Sequence, residues 1–181
     1  IRLFKDTTDK LEYAPFKNMS RSEVYKLSPY DETLVIDADY FIMNDILDQV
    51  WNSDNDVMIN SKYRDISGRH QENIEYIDNF SIPMYWATVF YFKKSDFAEN
   101  LFTLISHIKY NYKYYYYLYN CSGSLYRNDF AFSMALHILN GGVAFEVPSL
   151  PIDYLSNSFD LDDIFRINSH EDIIMYCADA E

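Results

Sequence analysis

Two carboxylates stand one residue apart directly after a short apolar segment. Asp37 and Asp39 flank Ala38, and Leu34–Ile36 precedes them. Ligands of open α/β sheets bind beyond the carboxyl ends of the strands, and alternate residues of an extended chain point the same way, so both carboxylates can face one site. Such oxygen ligands suit Mg²⁺ or Mn²⁺, which fills its other positions with water and substrate phosphates. The pair therefore predicts a metal site that binds a diphosphate.

The same Asp-x-Asp spacing occurs twice more in this acidic chain. Asp54 and Asp56 precede a predicted strand and so lie at its wrong end, and Asp160 and Asp162 lack the strand context of the first pair. Spacing alone is a weak signal, and the position after a strand is what gives it meaning. We interpret these two pairs as solvated turn carboxylates.

The composition of the chain excludes several classes of protein. The chain has 181 residues, of which 49% are hydrophobic, which predicts one globular domain. Its four glycines cannot form a G-x-G-x-x-G fingerprint or a P-loop, which excludes classical Rossmann oxidoreductases and P-loop NTPases. The net charge of −13 disfavours nucleic acid as a partner. An anionic substrate therefore needs a local cation, which a metal on the Asp37/Asp39 pair would supply.

Cysteine content and hydropathy indicate a soluble, cytoplasmic protein. Cys121 and Cys177 are the two cysteines, and their surroundings show no zinc-site spacing. The longest apolar runs are far too short for a membrane span, and no signal-peptide segment is present. Since the sequence begins with Ile1 instead of methionine, we expect a fragment or a processed product.

Apolar periodicity, caps and breakers predict strands that alternate with helices, which is the pattern of an α/β layer fold. Ser61–Asn79 is a long polar connection, and we expect it to flank a site. The predicted strands are Ile1–Phe4 at a sheet edge, Thr33–Ile36 buried on both faces of a mostly parallel sheet, Asp56–Asn60, Trp86–Phe92 and Val143–Val147. The predicted helices are Asn18–Leu27 ended by Pro29, Asn44–Trp51, a helix capped by Ser95 that continues through Tyr119, and Asn128–Asn140 ended by Gly141.

The segment from Ser28 to Asp45, with Asp37-Ala38-Asp39 at its centre, resembles the D-x-D region of GT-A-fold glycosyltransferases that use nucleotide-diphosphate sugars. The likeness is greatest to the glycogenin-like and lipopolysaccharide-galactosyltransferase-like group. Looser matches are Thr88–Phe92, Arg127–Phe132 and Leu150–Asn157, so the resemblance covers most of the chain from Asn18 to Asn157. It implies a GT-A-like, mostly parallel sheet flanked by helices. The family begins with two strands that bind the nucleotide base, and we expect this chain to start after them.

The resemblance also implies roles for individual residues. Asp37, Ala38 and Asp39 would bind the donor and its metal, and Arg21 matches an arginine on the helix before the D-x-D strand. Arg21 is either a bidentate donor to the diphosphate or an exposed helix arginine. Asp129 is either a carboxylate placed for the helix dipole or a catalytic group that meets the donor sugar. His170 is the candidate third metal ligand, with an ordinary surface histidine as the alternative.

Aromatic residues give weaker signals. Tyr85 and Trp86 can stack on a sugar or pack in the core, and core packing is the commoner case. The Tyr114–Tyr117 run is interpreted as core or partner surface, with an acceptor platform as the alternative. We interpret His137, which stands within an apolar helix, as structural.

The sequence predicts a metal-dependent glycosyltransferase. Its substrates would be a nucleotide-diphosphate sugar and an acceptor hydroxyl on a glycan, a protein or a small molecule. One alternative is a catalytically inactive GT-A-like module for binding or assembly. Two features favour it, namely the expected start of the chain after the N-terminal strands and the tyrosine-rich surface. A nucleotidyltransferase is the other alternative, because such enzymes also pair carboxylates around a metal.

Overall fold

The computed structural model describes residues 19–66, 76–77, 82–121, 125–143, 146–153, 155–157, 163–169 and 172–176. Strands and helices of comparable number are interleaved along these ranges, so the predicted α/β class is confirmed. The strands are β1 (Glu32–Ile36), β2 (Val57–Ile59), β3 (Tyr63–Asp65), β4 (Val89–Lys93), β5 (Leu155–Asn157), β6 (Asp163–Ser169) and β7 (Asp172–Tyr176). The helices are α1 (Val24–Leu27), α2 (Asp96–Tyr110), α3 (Tyr112–Leu118) and α4 (Asn128–Leu139), with 3₁₀ helices at Met19–Glu23 and Ile46–Asn52.

β4 is the central strand of a three-stranded sheet with the order β1–β4–β2. Both neighbours run antiparallel to it, since Tyr91 pairs with Leu34 of β1 on one side and with Met58 of β2 on the other. The sequence predicts a parallel setting with β1 buried on both faces, whereas β1 is half-buried along its length. A continuous apolar run indicates burial but not strand direction, so the antiparallel pairing was not readable from it.

The hydrophobic core occupies both faces of this sheet. On one face Phe90 contacts Phe132 of α4, with 4.8 Å between ring centroids. Because successive strand residues alternate in direction, Tyr91 points to the other face, into a second cluster with Met58 and Leu150. The helices α2 and α4 cover the first face, so the second face is left to carry the cleft described below.

Local sequence signals determine the ends of the longer helices. The Ser95 hydroxyl accepts a hydrogen bond from the backbone N–H of Ala98 at 3.2 Å, which confirms the predicted N-cap of α2. Asn111 separates α2 from α3, so the predicted single helix is divided there. Gly141 and Gly142 follow α4 with φ of 76° and 75°, a left-handed conformation that glycine adopts without strain. None of the helices in the described ranges is long and apolar enough to cross a membrane.

Two small sheets accompany the central one. β3 pairs in parallel with β5, and β6 pairs antiparallel with β7. The sequence analysis assigned none of these strands, and β3 falls inside the predicted polar connection. The described residues of the predicted strand Val143–Val147 lie outside any strand, because the Val147 N–H donates to the Tyr85 hydroxyl at 3.2 Å instead of to a neighbouring strand. The predicted strand Ile1–Phe4 lies outside the described residues.

Candidate active site

A cleft of about 690 Å³ opens at the end of β1. Asp37 and Asp39 lie on its wall together with residues of the 40–47 loop, and Trp86 and Thr88 lie beside them just before β4. Side chains of β3, β5 and β7 complete the lining, most of them apolar. The cleft therefore has one wall that carries carboxylates and one that is largely hydrophobic.

The backbone around Asp37 is held by β4. The pairing of β1 with β4 extends one residue beyond the strand, because the Asp37 N–H donates to the Thr88 carbonyl at 3.0 Å. The chain then turns, with the Tyr40 N–H donating to the Asp37 carbonyl at 3.1 Å. Ala38 and Asp39 are exposed within this turn. The predicted geometry of two carboxylates at a strand end is present, and both carboxylates reach the cleft.

Arg21 lies behind Asp37, away from solvent. Its side chain is only 8% exposed, and the guanidinium forms an ion pair with Asp37 and donates to the Ala87 carbonyl. Burial lowers the pKa of Arg21, while the carboxylates of Asp129 and Asp39 act to raise it. The exposed helix arginine considered as an alternative is therefore excluded, and the guanidinium is engaged with the Asp37 carboxylate.

Asp129 joins this cluster from the first turn of α4. Its Oδ1 accepts from the Ala87 N–H at 2.9 Å, and its Oδ2 accepts from Nη2 of Arg127 at 2.9 Å and from Nε at 3.3 Å. The Ser133 hydroxyl, one turn on, donates to the Asp129 carbonyl at 2.7 Å. The Asp129 side chain is 15% exposed, and each of its two carboxylate oxygens accepts at least one hydrogen bond.

The backbone of Ala87 thus connects the side chains of the candidate site. Its N–H is bound by Asp129 and its carbonyl by Arg21, which in turn binds Asp37. Arg21, Asp37 and Asp129, which come from three separate segments of the sequence, are therefore connected through Ala87, and Asp39 lies close enough to act on the pKa of Arg21. His170 lies outside the described residues.

The donor atoms present fit a divalent cation of the magnesium type. Within the described ranges no group of three or more His, Cys, Asp and Glu side chains is close enough to hold a metal by itself. Mg²⁺ needs only one or two protein carboxylates when substrate phosphates and water supply the rest. The carboxylates of Asp37 and Asp39 at the wall of a cleft meet that requirement, with one Asp37 oxygen already paired with Arg21.

Trp86 brings an aromatic face to the cleft. Its ring centroid is 4.3 Å from that of Tyr63, and its Nε1 is buried with no hydrogen-bond partner. The side chain of Asn60 is buried and holds two backbone groups nearby, accepting from the Leu150 N–H at 2.9 Å and donating to the Ile152 carbonyl at 3.1 Å. Trp86 lines the cleft and also packs against both clusters of the core, whereas Tyr85 is buried in the core.

The other predicted candidates lie elsewhere. Asp54 and Asp56 are exposed, in line with their interpretation as solvated carboxylates. His137 is half-buried, and its Nδ1 is 3.1 Å from the hydroxyl of Tyr119. In the tyrosine run, Tyr115 and Tyr116 pack against the core while Tyr114 and Tyr117 are exposed. Asp160 and Asp162 lie outside the described residues.

The sequence analysis used Arg127 only as part of a motif and gave it no role of its own. In the structure its guanidinium lies 5.7 Å from the ring centroid of Trp86 and 5.4 Å from that of Phe130. Its side chain is 39% exposed, far more than that of Arg21. The signal that could have found it is its spacing of two residues from Asp129.

No protein-family model, no curated protein and no solved structure matches this chain.

Proposed function

We propose that this chain is a metal-dependent glycosyltransferase of GT-A-like fold that moves a sugar from a nucleotide-diphosphate sugar to an acceptor hydroxyl. The observation that carries the proposal is that Arg21 and Asp129 both bind the backbone of Ala87, that Arg21 also pairs with Asp37, and that Asp37 and Asp39 line a cleft of about 690 Å³. This volume is within the range of small-molecule sites, roughly 300–1,000 Å³. The scarcity of cysteine supports a cytoplasmic location for the activity.

Asp37 and Asp39 are the residues that would hold the metal. A divalent cation there supplies Lewis-acid stabilisation of the charge that develops on the leaving diphosphate. Arg21 fixes one oxygen of the Asp37 carboxylate, so the other oxygen is presented in a single orientation. A buried arginine in this position lowers the cost of keeping Asp37 ionised at the edge of an apolar cleft.

The remaining cleft residues orient the substrates and exclude water. Trp86 would contact the sugar from the wall of the cleft. Aromatic side chains suit this role because their rings pack against the apolar face of a sugar while its hydroxyl groups stay free to form hydrogen bonds. A substrate bound between the hydrophobic wall from β5 and β7 and the carboxylates would displace water from the cleft, which would strengthen electrostatic interactions there. Asp129 supports the arrangement by holding Ala87 and Arg127.

The test is turnover with a panel of nucleotide-diphosphate sugars in the presence of Mn²⁺ or Mg²⁺. We expect transfer to an acceptor, or slow hydrolysis to the nucleoside diphosphate, with at least one donor. Asp37→Ala/Asp39→Ala protein should lose this activity. The matched control is Asp54→Ala/Asp56→Ala, which removes the same two charges at an exposed site and should stay active. Full activity in the first double variant would refute the proposal.

An inactive binding or assembly module is the second candidate. The exposed side chains of Tyr110, Tyr114 and Tyr117 favour it, because they form an aromatic surface at helical spacing outside the cleft. Calorimetry separates the two candidates, since a module of this kind binds no nucleoside diphosphate with or without Mn²⁺. Release of pyrophosphate from a nucleoside triphosphate would instead identify a nucleotidyltransferase.

A further inference from the structure

Arg127 is a partly free guanidinium beside the cleft. Its Nε and one Nη2 proton face Asp129, and Nη1 makes no hydrogen bond to any described residue. The group stands between the rings of Trp86 and Phe130, so packing on two sides restricts it. Trp86 lines the cleft, so Arg127 lies against a residue of the cleft wall without itself belonging to the lining.

A second donor without a partner lies next to it. The indole Nε1 of Trp86 is buried and unpaired, and a buried donor left unsatisfied costs roughly 1–3 kcal/mol. Because this atom is buried, an occupant of the cleft reaches it only if the Trp86 side chain turns, whereas the exposed Arg127 can be met directly. The free N–H groups of Arg127 favour an oxygen-rich, anionic group as the occupant.

The charges of the arginines and aspartates around Ala87 also favour an anionic occupant once a metal is bound. Arg21 and Arg127 face Asp37, Asp39 and Asp129, which leaves one negative charge in excess. A divalent cation would turn this into one positive charge in excess and so attract a diphosphate. Of the two arginines, Arg127 is the accessible one, since its side chain is far more exposed than that of Arg21, which is buried against Asp37 and Ala87.

We propose that Arg127, held in place by Asp129, is the arginine that contacts the diphosphate of the donor. The inference rests on the proposed function, since it names the residue that would grip the diphosphate at the same metal site. Arginine suits this task because its planar fork matches phosphate oxygens, and its restriction between two rings reduces the entropy lost on binding.

Trp86 supplies the readout. The chain has two tryptophans, and the exposed Trp51 can be replaced by phenylalanine so that the fluorescence reports Trp86 alone. The probe is inorganic pyrophosphate with Mg²⁺, which does not absorb in the tryptophan range. We expect a saturable fluorescence change in Trp51→Phe protein, and a dissociation constant raised about tenfold or more by Arg127→Gln, as expected for a lost charge-assisted hydrogen bond.

Arg166→Gln is the matched control, because it removes the same charge from an exposed position. Arg166 pairs with Ile174, whereas the neighbours Ile173 and Met175 line the cleft, so Arg166 stands on the other side of the hairpin. Its affinity should equal that of the parent. Arg127→Lys keeps the charge and loses the fork, and should bind between the parent and Arg127→Gln. Near-ultraviolet circular dichroism checks that each variant is folded.

The possible results distinguish a failure of the role of Arg127 from a failure of the proposed function. Binding by the parent and by Arg127→Gln with the same dissociation constant would overturn the role of Arg127 and leave the proposed function standing. Equal weakening by Arg127→Gln and Arg166→Gln would also overturn it, because only net charge would then matter. No binding by the parent, in fluorescence and in calorimetry, would overturn the proposed function together with this inference.

Discussion

Replacing Arg21 with methionine tests the buried centre of the site. The Arg21 side chain is 8% exposed and that of Asp37 is 25% exposed, so the substitution leaves a carboxylate in a partly dry setting without its partner. Breaking a buried ion pair costs roughly 3–5 kcal/mol, and because water can still reach Asp37 we expect about 2–3 kcal/mol. The Ala87 carbonyl also loses its donor, which adds about 1 kcal/mol.

The free energy of unfolding in urea should therefore fall by about 3–4 kcal/mol in Arg21→Met. Asp37→Asn and the double variant complete a cycle, in which we expect a coupling energy of about 1–3 kcal/mol between the two side chains. Lys26→Met on α1 is the control, since Lys26 is exposed and its replacement should change stability by less than about 0.5 kcal/mol. If Arg21→Met and Asp37→Asn add within about 0.5 kcal/mol, the ion pair does not hold the site together.

Two further substitutions test the surroundings. Burial raises the pKa of Tyr112, so above its ordinary pKa of about 10 the unfolded chain ionises first and stability falls as the pH rises. Tyr112→Phe should lessen this fall by about 1.4 kcal/mol in total in a urea series from about pH 9 to about pH 11, and an unchanged fall would contradict the burial argument. Asn60→Ala leaves the Leu150 N–H and the Ile152 carbonyl buried without their hydrogen-bond partner, and it should lower the free energy of unfolding by about 2–4 kcal/mol. A loss below about 1 kcal/mol would show that water replaces the amide.

The parts of the fold that local chemistry determines were predictable from the sequence. The cap at Ser95 needs only a side-chain oxygen that accepts a backbone hydrogen bond, and the turn at Gly141 needs only a residue that adopts a positive φ. Both predictions are confirmed. The strand before Asp37 was found from its apolar run, but its antiparallel pairing depends on a partner more than fifty residues away. β6 and β7 were missed although both contain apolar residues, because whether a short segment forms a strand depends on the strand that it pairs with, and here the two pair with each other.

The candidate site shows the same division. Asp37 and Asp39 could be placed at a cleft because a strand end precedes them. The burial of Arg21 could not be foreseen, since an arginine on a short helix looks the same in the sequence whether it faces solvent or a carboxylate. Arg127 was overlooked for the converse reason, because its exposure beside Trp86 arises only when α4 packs against the start of β4.

Binding of Mn²⁺ tests the central claim most directly. Electron paramagnetic resonance counts free Mn²⁺ in titrations of the intact protein with pyrophosphate present, and a titration without protein gives the share of Mn²⁺ that pyrophosphate binds in solution. Asp39→Asn is the decisive variant, because Asp39 is exposed and its replacement should leave the fold unchanged, and Asp54→Asn is its matched control. The account predicts one Mn²⁺ site that Asp39→Asn weakens at least about tenfold and Asp54→Asn leaves intact. Equal Mn²⁺ affinity in the wild type and in Asp39→Asn would contradict it.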